Sequence, residues 1–232
     1  MLRDVIVKIL FKYPTRNRLA WFEKTLKLYY DIISEDCDFQ FLITLDEDDV
    51  TMNTEEVRKF LNYQPNLIYN YGKSKTKIEA CNADIDLVDD WDILVLVSDD
   101  MIPVVREFDK IIVENMQKHF PDTDGALHFN DGCYGKDRTI TLSIMGRKLY
   151  ERFEYIYHPA YRSFYCDNEF TDEVYKLNKV IYIPQVIIQH KWHGGPKSKD
   201  ALYRRNSGMK GDEFIYNRRK LLNFPRENGW RL

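Results

Sequence analysis

Over the first hundred positions, short apolar, β-prone runs alternate with segments whose apolar residues recur at helical spacing. Val5 to Phe11 predicts a buried strand leading into the polar loop Tyr13-Pro14-Thr15-Arg16-Asn17-Arg18, where proline stops the ladder. Phe22, Leu26, Tyr29 and Ile33 then repeat along one face of a helix. Phe39 to Leu45 predicts a second strand, ending in the acidic run Asp46-Glu47-Asp48-Asp49. Thr54 to Leu61 predicts a helix capped by Thr54 or Asn53, Leu67-Ile68-Tyr69 a short strand, and Lys77 to Val88 another helix. Ile93 to Val97 is apolar throughout and ends abruptly at Ser98-Asp99-Asp100. A strand apolar on both faces belongs in the middle of a mostly parallel sheet. The alternation of strands and helices predicts a doubly wound α/β fold.

The second half has a less regular pattern. Arg106 to His119 predicts a helix, followed by a turn at Pro121-Asp122-Thr123-Asp124-Gly125. Ala126 to Phe129 and Thr139 to Met145 predict strands, Tyr165 to Leu177 a helix, and Val180 to Ile183 and Val186 to Ile188 short strands around Pro184. Lys197 to Lys220 carries eight Lys or Arg against three Asp or Glu. No internal repeat or low-complexity linker interrupts the chain, so one domain with two functional halves is expected, 1–101 and 102–196, followed by a basic tail from 197 to 232.

Composition narrows the class. The chain has 232 residues, enough for one α/β domain with a full core, and its net charge of -3 argues against a nucleic-acid coat. Cys37, Cys81, Cys133 and Cys166 are widely spaced without a CxxC pair, as suits reduced thiols in a cytoplasmic protein. No stretch reaches the length of a membrane span and the start has no secretory pattern.

Ligands of such sheets bind beyond the carboxyl ends of the strands. Here those ends carry Thr15, Asn17 and Arg18, then Asp46, then Asp99-Asp100. Two adjacent acids at a strand end repel each other and lose solvation, which a divalent cation with oxygen ligands would offset, although Asp also starts turns and helices well.

The string Pro14-Thr15-Arg16-Asn17-Arg18 resembles the Pro-Thr-x-Asn-Arg loop of family-2 glycosyltransferases of GT-A fold. Asp46 falls where that family places an Asp near the nucleobase, and Gly72 with Ala80-Cys81-Asn82 is similar to its Asn-x-Gly…Ala-x-Asn region. Ser98-Asp99-Asp100 takes the place of the Asp-x-Asp motif with Ser98 in the first carboxylate's position. Cys166-Asp167-Asn168-Glu169-Phe170 resembles the Glu-Asp-x-Glu-Phe segment, with Cys166 replacing an acid, and His190 falls where many relatives carry a metal-side histidine.

The resemblance implies a GT-A-type, mostly parallel sheet and an inverting, metal-dependent transferase. Its donor would be a nucleotide-diphosphate sugar, with uridine favoured as the base. Asp100 and His190 would hold Mn2+ or Mg2+, and Asp167 would be the catalytic base. Pro14, Thr15, Asn17, Arg18, Asp46, Lys77, Asn82, Ser98 and Asp99 would bind the donor. Lys197, Lys199, Arg204 or Arg205 could close over the diphosphate, and Asn130-Asp131-Gly132 could meet acceptor hydroxyls. Tyr155 to Tyr165, with Trp192, is rich in aromatic faces suited to sugar rings, which favours a carbohydrate acceptor. Plain packing also accounts for each aromatic singly, and Glu169 could serve either the acceptor or the fold. An inactive sugar- or nucleotide-binding relative is the alternative that Ser98 and Cys166 motivate. A sugar nucleotidyltransferase would need a Gly-rich loop after the first strand, which is absent, and a glycoside hydrolase would not need the nucleotide-side loops.

Overall fold

The computed structural model describes residues 7–133, 139–191 and 209–225. Strands β1 (Lys8–Pro14), β2 (Asp38–Asp46), β3 (Leu67–Gly72) and β4 (Ile93–Leu96) alternate with helices α1 (Leu19–Ile32), α2 (Glu55–Asn62) and α3 (Lys77–Asn82). Beyond them come β5 (Met101–Pro103), α4 (Phe108–His119), β6 (Ala126–Phe129), β7 (Ile144–Gly146), α5 (Arg147–Phe153), α6 (Cys166–Lys176), β8 (Val180–Ile183), β9 (Ile188–His190) and α7 (Met209–Leu221).

Seven strands form one sheet in the order β3-β2-β1-β4-β7-β6-β8. The β3-β2-β1-β4 half is parallel, β7 runs antiparallel to both neighbours, and β6 pairs parallel with β8. β1 lies between β2 and β4 inside the parallel half, and its alternation builds a core on each face. Ile9, Phe11 and Tyr13 point to one face, against Phe22, Leu26 and Tyr29 of α1, Val57 and Leu61 of α2 and Phe108 and Ile112 of α4. Leu10 points to the other, with Ile78 of α3, Leu149 of α5 and Phe170 of α6. Phe11 stacks on Phe41 at 5.0 Å between centroids, with Tyr29 and Phe108 at 5.9 Å.

Several boundaries differ from the sequence pattern. β1 is seen from Lys8, Val5 and Ile6 of the expected strand lying outside the described residues, and it runs through Pro14, tolerated because that residue is last in the strand. The ladder passes on through the Thr15 N–H, which donates to the Thr44 carbonyl at 3.0 Å. The helix expected from Lys77 to Val88 stops at Asn82. Asp84 adopts φ 66°, its carboxylate accepting from Thr44 and Asn70, and a short 3-10 turn follows at Ile85–Leu87. The strand expected from Thr139 shrinks to Ile144–Gly146, because upstream groups bond to side chains instead: Ile140 N–H to Thr171 and the Thr141 hydroxyl to Asp131. β9 lies two residues beyond the expected Val186–Ile188. Two elements had no periodic signal, the three-residue β5 and the seven-residue α5.

Candidate active site

A two-stranded antiparallel sheet organises the site. β5 pairs with β9 in the register Met101↔His190, which brings His190 beside Asp100 although 90 positions separate them in the chain. The pairing is extended by Lys191 N–H to the Asp100 carbonyl at 2.7 Å and by His190 N–H to the Asp131 carbonyl at 2.8 Å.

At the end of β4 the two acids part company. Asp99 falls on the Phe11 side, 5% exposed, where its Oδ1 accepts from the Thr15 hydroxyl at 3.0 Å and its carbonyl from the Thr25 hydroxyl at 2.9 Å. Burial, with the Asp100 charge beside it, pushes its carboxyl up to about 7 against the pull of Thr15 and Arg18. Its contacts are therefore with the chain's interior, and it supports the strand end from behind.

Asp100 points to the other side. Its Oδ1 accepts from the Ser98 hydroxyl at 2.6 Å and lies 3.8 Å from His190 Nε2; its Oδ2 lies 3.9 Å from Arg18 Nη1. Burial opposes ionisation, but His190, Ser98 and Lys77 outweigh it and hold the carboxyl well below the usual range. Ser98, which replaces a carboxylate in the family pattern, thus acts here as a donor that orients Asp100.

These residues fit one divalent cation held with few protein ligands. The Asp100–His190 separation exceeds a hydrogen bond, so the two are not satisfied by each other. His190 Nδ1 is buried with no hydrogen-bond partner among the described residues. No group of three or more His, Cys, Asp or Glu able to hold a metal occurs among those residues, so any ion would need phosphate and water oxygens to complete its shell.

Asp167 enters from the start of α6, after Tyr165 with φ 60°, and its Oδ1 accepts from the Asn168 N–H at 3.0 Å. Burial raises its carboxyl, countered by Lys77, nearby backbone amides and His190. Lys77, at the first turn of α3, is exposed as a whole residue while its ammonium end is turned in among acids and thiols. Burial of its ammonium draws its value down, but Cys81, Cys166, Asp100 and Asp167 together raise it. Burial lifts both thiols above their usual value, so at neutral pH the two carboxylates supply the charge. Lys77 therefore sits in the field of both Asp100 and Asp167.

The loops after β1, β2 and β3 are tied together. Arg16 Nη1 donates to Asp46 Oδ2 at 2.6 Å and to Asp48 Oδ1 at 2.5 Å, and Ser74 N–H reaches Asp46 Oδ1 at 3.3 Å. Asn17, at φ 57°, donates its N–H to Asp49 at 2.6 Å. Pro14 and Thr15 close the β1–β2 ladder, both against Thr44. Asn82 points elsewhere: its oxygen accepts from Ile156 and Tyr157 N–H at 3.0 Å each, and its amide donates to the Tyr157 carbonyl at 2.6 Å. In the structure it is an anchor for the 156–157 segment.

Other expectations resolve into packing. Tyr157 and Tyr161 of the aromatic stretch are 4% and 1% exposed and belong to the core rather than to an open sugar platform. Glu169 is 1% exposed and receives a bidentate bond from Arg219 at 2.8 Å, with Tyr161 at 2.6 Å. Asp131 caps its own loop through Cys133 N–H and Thr141. Trp192, Lys197, Lys199, Arg204 and Arg205 lie outside the described residues. Arg16 was missed by sequence reasoning, although a cation facing the acidic run 46–49 was a usable signal.

No protein-family model and no curated protein sequence matches the chain. Solved structures do. The mannosyltransferase PcManGT from Pyrobaculum calidifontis, in complex with GDP-Man and Mn2+, superposes with a TM-score of 0.60 and 16% identity over 80% of this chain and 56% of that one. S. aureus TarS 1-349 gives 0.62 and 15% in its UDP complex, over 79% and 60% of the two chains. Its UDP-GlcNAc complex gives 0.61 and 14%, over 86% and 64%. The chain thus spans 56 to 64% of the length of these three neighbours. At such identities the likeness is one of fold: the sheet is a GT-A-type α/β sheet, as the sequence resemblance implied. Among the described residues no helix is long and apolar enough to cross a membrane.

Proposed function

We propose that the chain is a metal-dependent, inverting glycosyltransferase that moves a sugar from a nucleoside-diphosphate donor, uridine-based in the first instance, to a hydroxyl of a carbohydrate or glycoconjugate. The observation that carries this reading is the convergence of Asp100, His190, Lys77 and Asp167, from four separate elements, at the carboxyl edge of the parallel strands. The fold neighbours solved with GDP-Man and Mn2+, UDP and UDP-GlcNAc support it.

Mn2+ or Mg2+ held by Asp100 and His190 would supply Lewis-acid stabilisation of the departing diphosphate. Arg18, 3.9 Å from Asp100, and Lys77 add fixed positive charge on the same side. Asp167 takes the proton of the acceptor hydroxyl as its oxygen attacks the anomeric carbon; the bond to the diphosphate oxygen breaks and the configuration inverts. The raised carboxyl of Asp167 suits a base, because a proton taken at a more basic carboxylate is held more firmly. Asp46, held by Arg16, would meet the nucleoside end.

The test is release of nucleoside diphosphate from a panel of UDP-, GDP- and CDP-sugars with Mn2+, with EDTA, and with Asp167→Asn. Metal-dependent release that the variant lowers by about 10²- to 10⁴-fold supports the reading. Binding of nucleotide without release from any donor would instead favour the inactive relative.

A further inference from the structure

α7 holds the base-bearing helix from outside the cleft. Asp212, in its first turn, is 0% exposed, and among the described residues no lysine or arginine side chain bonds to it. Its carboxylate accepts three consecutive backbone N–H groups instead: Arg162 at 3.0 Å, Ser163 at 2.9 Å and Phe164 at 2.8 Å. That loop leads directly into Tyr165, the left-handed residue that starts α6, and Asp167 is the second residue of the helix. The same loop meets two more parts of the site. The Arg162 carbonyl accepts the Ile78 N–H at 3.4 Å, one residue from Lys77, and the Ser163 carbonyl faces the buried Cys166 thiol at 3.8 Å. Farther along α7, Arg219 grips Glu169 of α6 through two bonds of 2.8 Å.

Three parallel N–H groups converging on one carboxylate fix both the position and the direction of a loop that has no ladder of its own. We propose that Asp212 is a positioning residue for Asp167: through the 162–164 backbone it sets where α6 begins and hence where the base stands. This rests on the transferase reading of the site. Ion pairing alone would not need this arrangement, because Lys220 already ties α7 to Asp172 at an exposed point.

The experiment compares wild type, Asp212→Asn, Asp212→Ala and Lys220→Ala for two properties, with melting curves confirming that each is folded. The first is the rate at which Cys166 reacts with a thiol reagent, followed by mass spectrometry, which needs no catalysis. The second is kcat and donor KM for nucleotide release. Positioning predicts that Asp212→Ala raises Cys166 labelling at least tenfold and lowers kcat at least tenfold with donor KM changed less than threefold. Asp212→Asn, which keeps one acceptor oxygen, should fall between, and Lys220→Ala should match wild type. Unchanged labelling overturns the proposal, and so does faster labelling with unchanged kcat. A wild type that releases nucleotide from no donor defeats the transferase reading instead, while labelling still decides whether Asp212 holds the loop.

Discussion

Asp99 and Asp100 are adjacent in sequence yet have opposite environments in the turn that joins β4 to β5. One faces Thr15 in the interior with a raised carboxyl; the other faces His190 and Ser98 and stays ionised. Asp167 carries a testable pH signature. A base must be ionised to act, and its carboxyl is raised by burial, so activity is lost as pH falls through that raised value. The acid limb of kcat should lie above the range of an ordinary carboxylate, near 4. A limb at or below that range would remove Asp167 from the role. Lys12 offers a second residue-scale test. It is 0% exposed in the middle of β1, bonded to Thr44, with its value lowered by burial to about 8. Below about 8 the lysine is charged both folded and unfolded. Between there and its ordinary value of 10.5 only the unfolded chain keeps the proton, so stability is gained as pH rises. That gap is about two and a half pH units at about 1.4 kcal/mol each. The stability of wild type minus that of Lys12→Met should therefore grow by about 3 kcal/mol from pH 8 to 10.5 in denaturant unfolding. A flat difference would show that Lys12 is not held in this buried state.

At the scale of elements, the junction of α6 and α7 is where packing and site meet. Glu169 and Arg219 form a buried pair, 1% and 8% exposed. Removing one partner leaves an uncompensated charge, which costs about 3–5 kcal/mol, whereas replacing both with apolar groups leaves none. Arg219→Met should lose stability on that scale by chemical denaturation, and the double replacement Glu169→Met/Arg219→Met should recover most of it. Equal losses in both would mean that the pair is not what joins the helices. The elements also show what the chain pattern could reveal. α1, β2 and α6 were legible because their apolar positions keep a steady period over nine or more residues. β5, three residues long, was not, and β9 was expected two residues early, since their pairing is a long-range event that no local period records. The break in α3 came from Thr44 and Asn70 gripping Asp84 across the sheet, which is equally silent in the local sequence.

At the scale of the molecule, the parallel half of the sheet and its two apolar faces followed from alternation alone, and β6 and β8 continue the sheet beyond the antiparallel β7. The positions of Asp100, Asp167 and His190 were readable as motif residues, yet their convergence depends on the β5–β9 register and on where α6 begins. Asp212 and Arg219 lie in a stretch whose sequence read as a basic tail that could close over the diphosphate, so their burial was invisible. The central claim is that this edge binds a nucleoside diphosphate through a divalent cation held by Asp100. The most direct measurement is calorimetric titration of UDP and GDP into the protein with and without Mn2+, repeated with Asp100→Ala. The account predicts binding by at least one nucleotide that needs the metal and is lost in the variant. Metal-independent binding of equal strength in wild type and Asp100→Ala would contradict it.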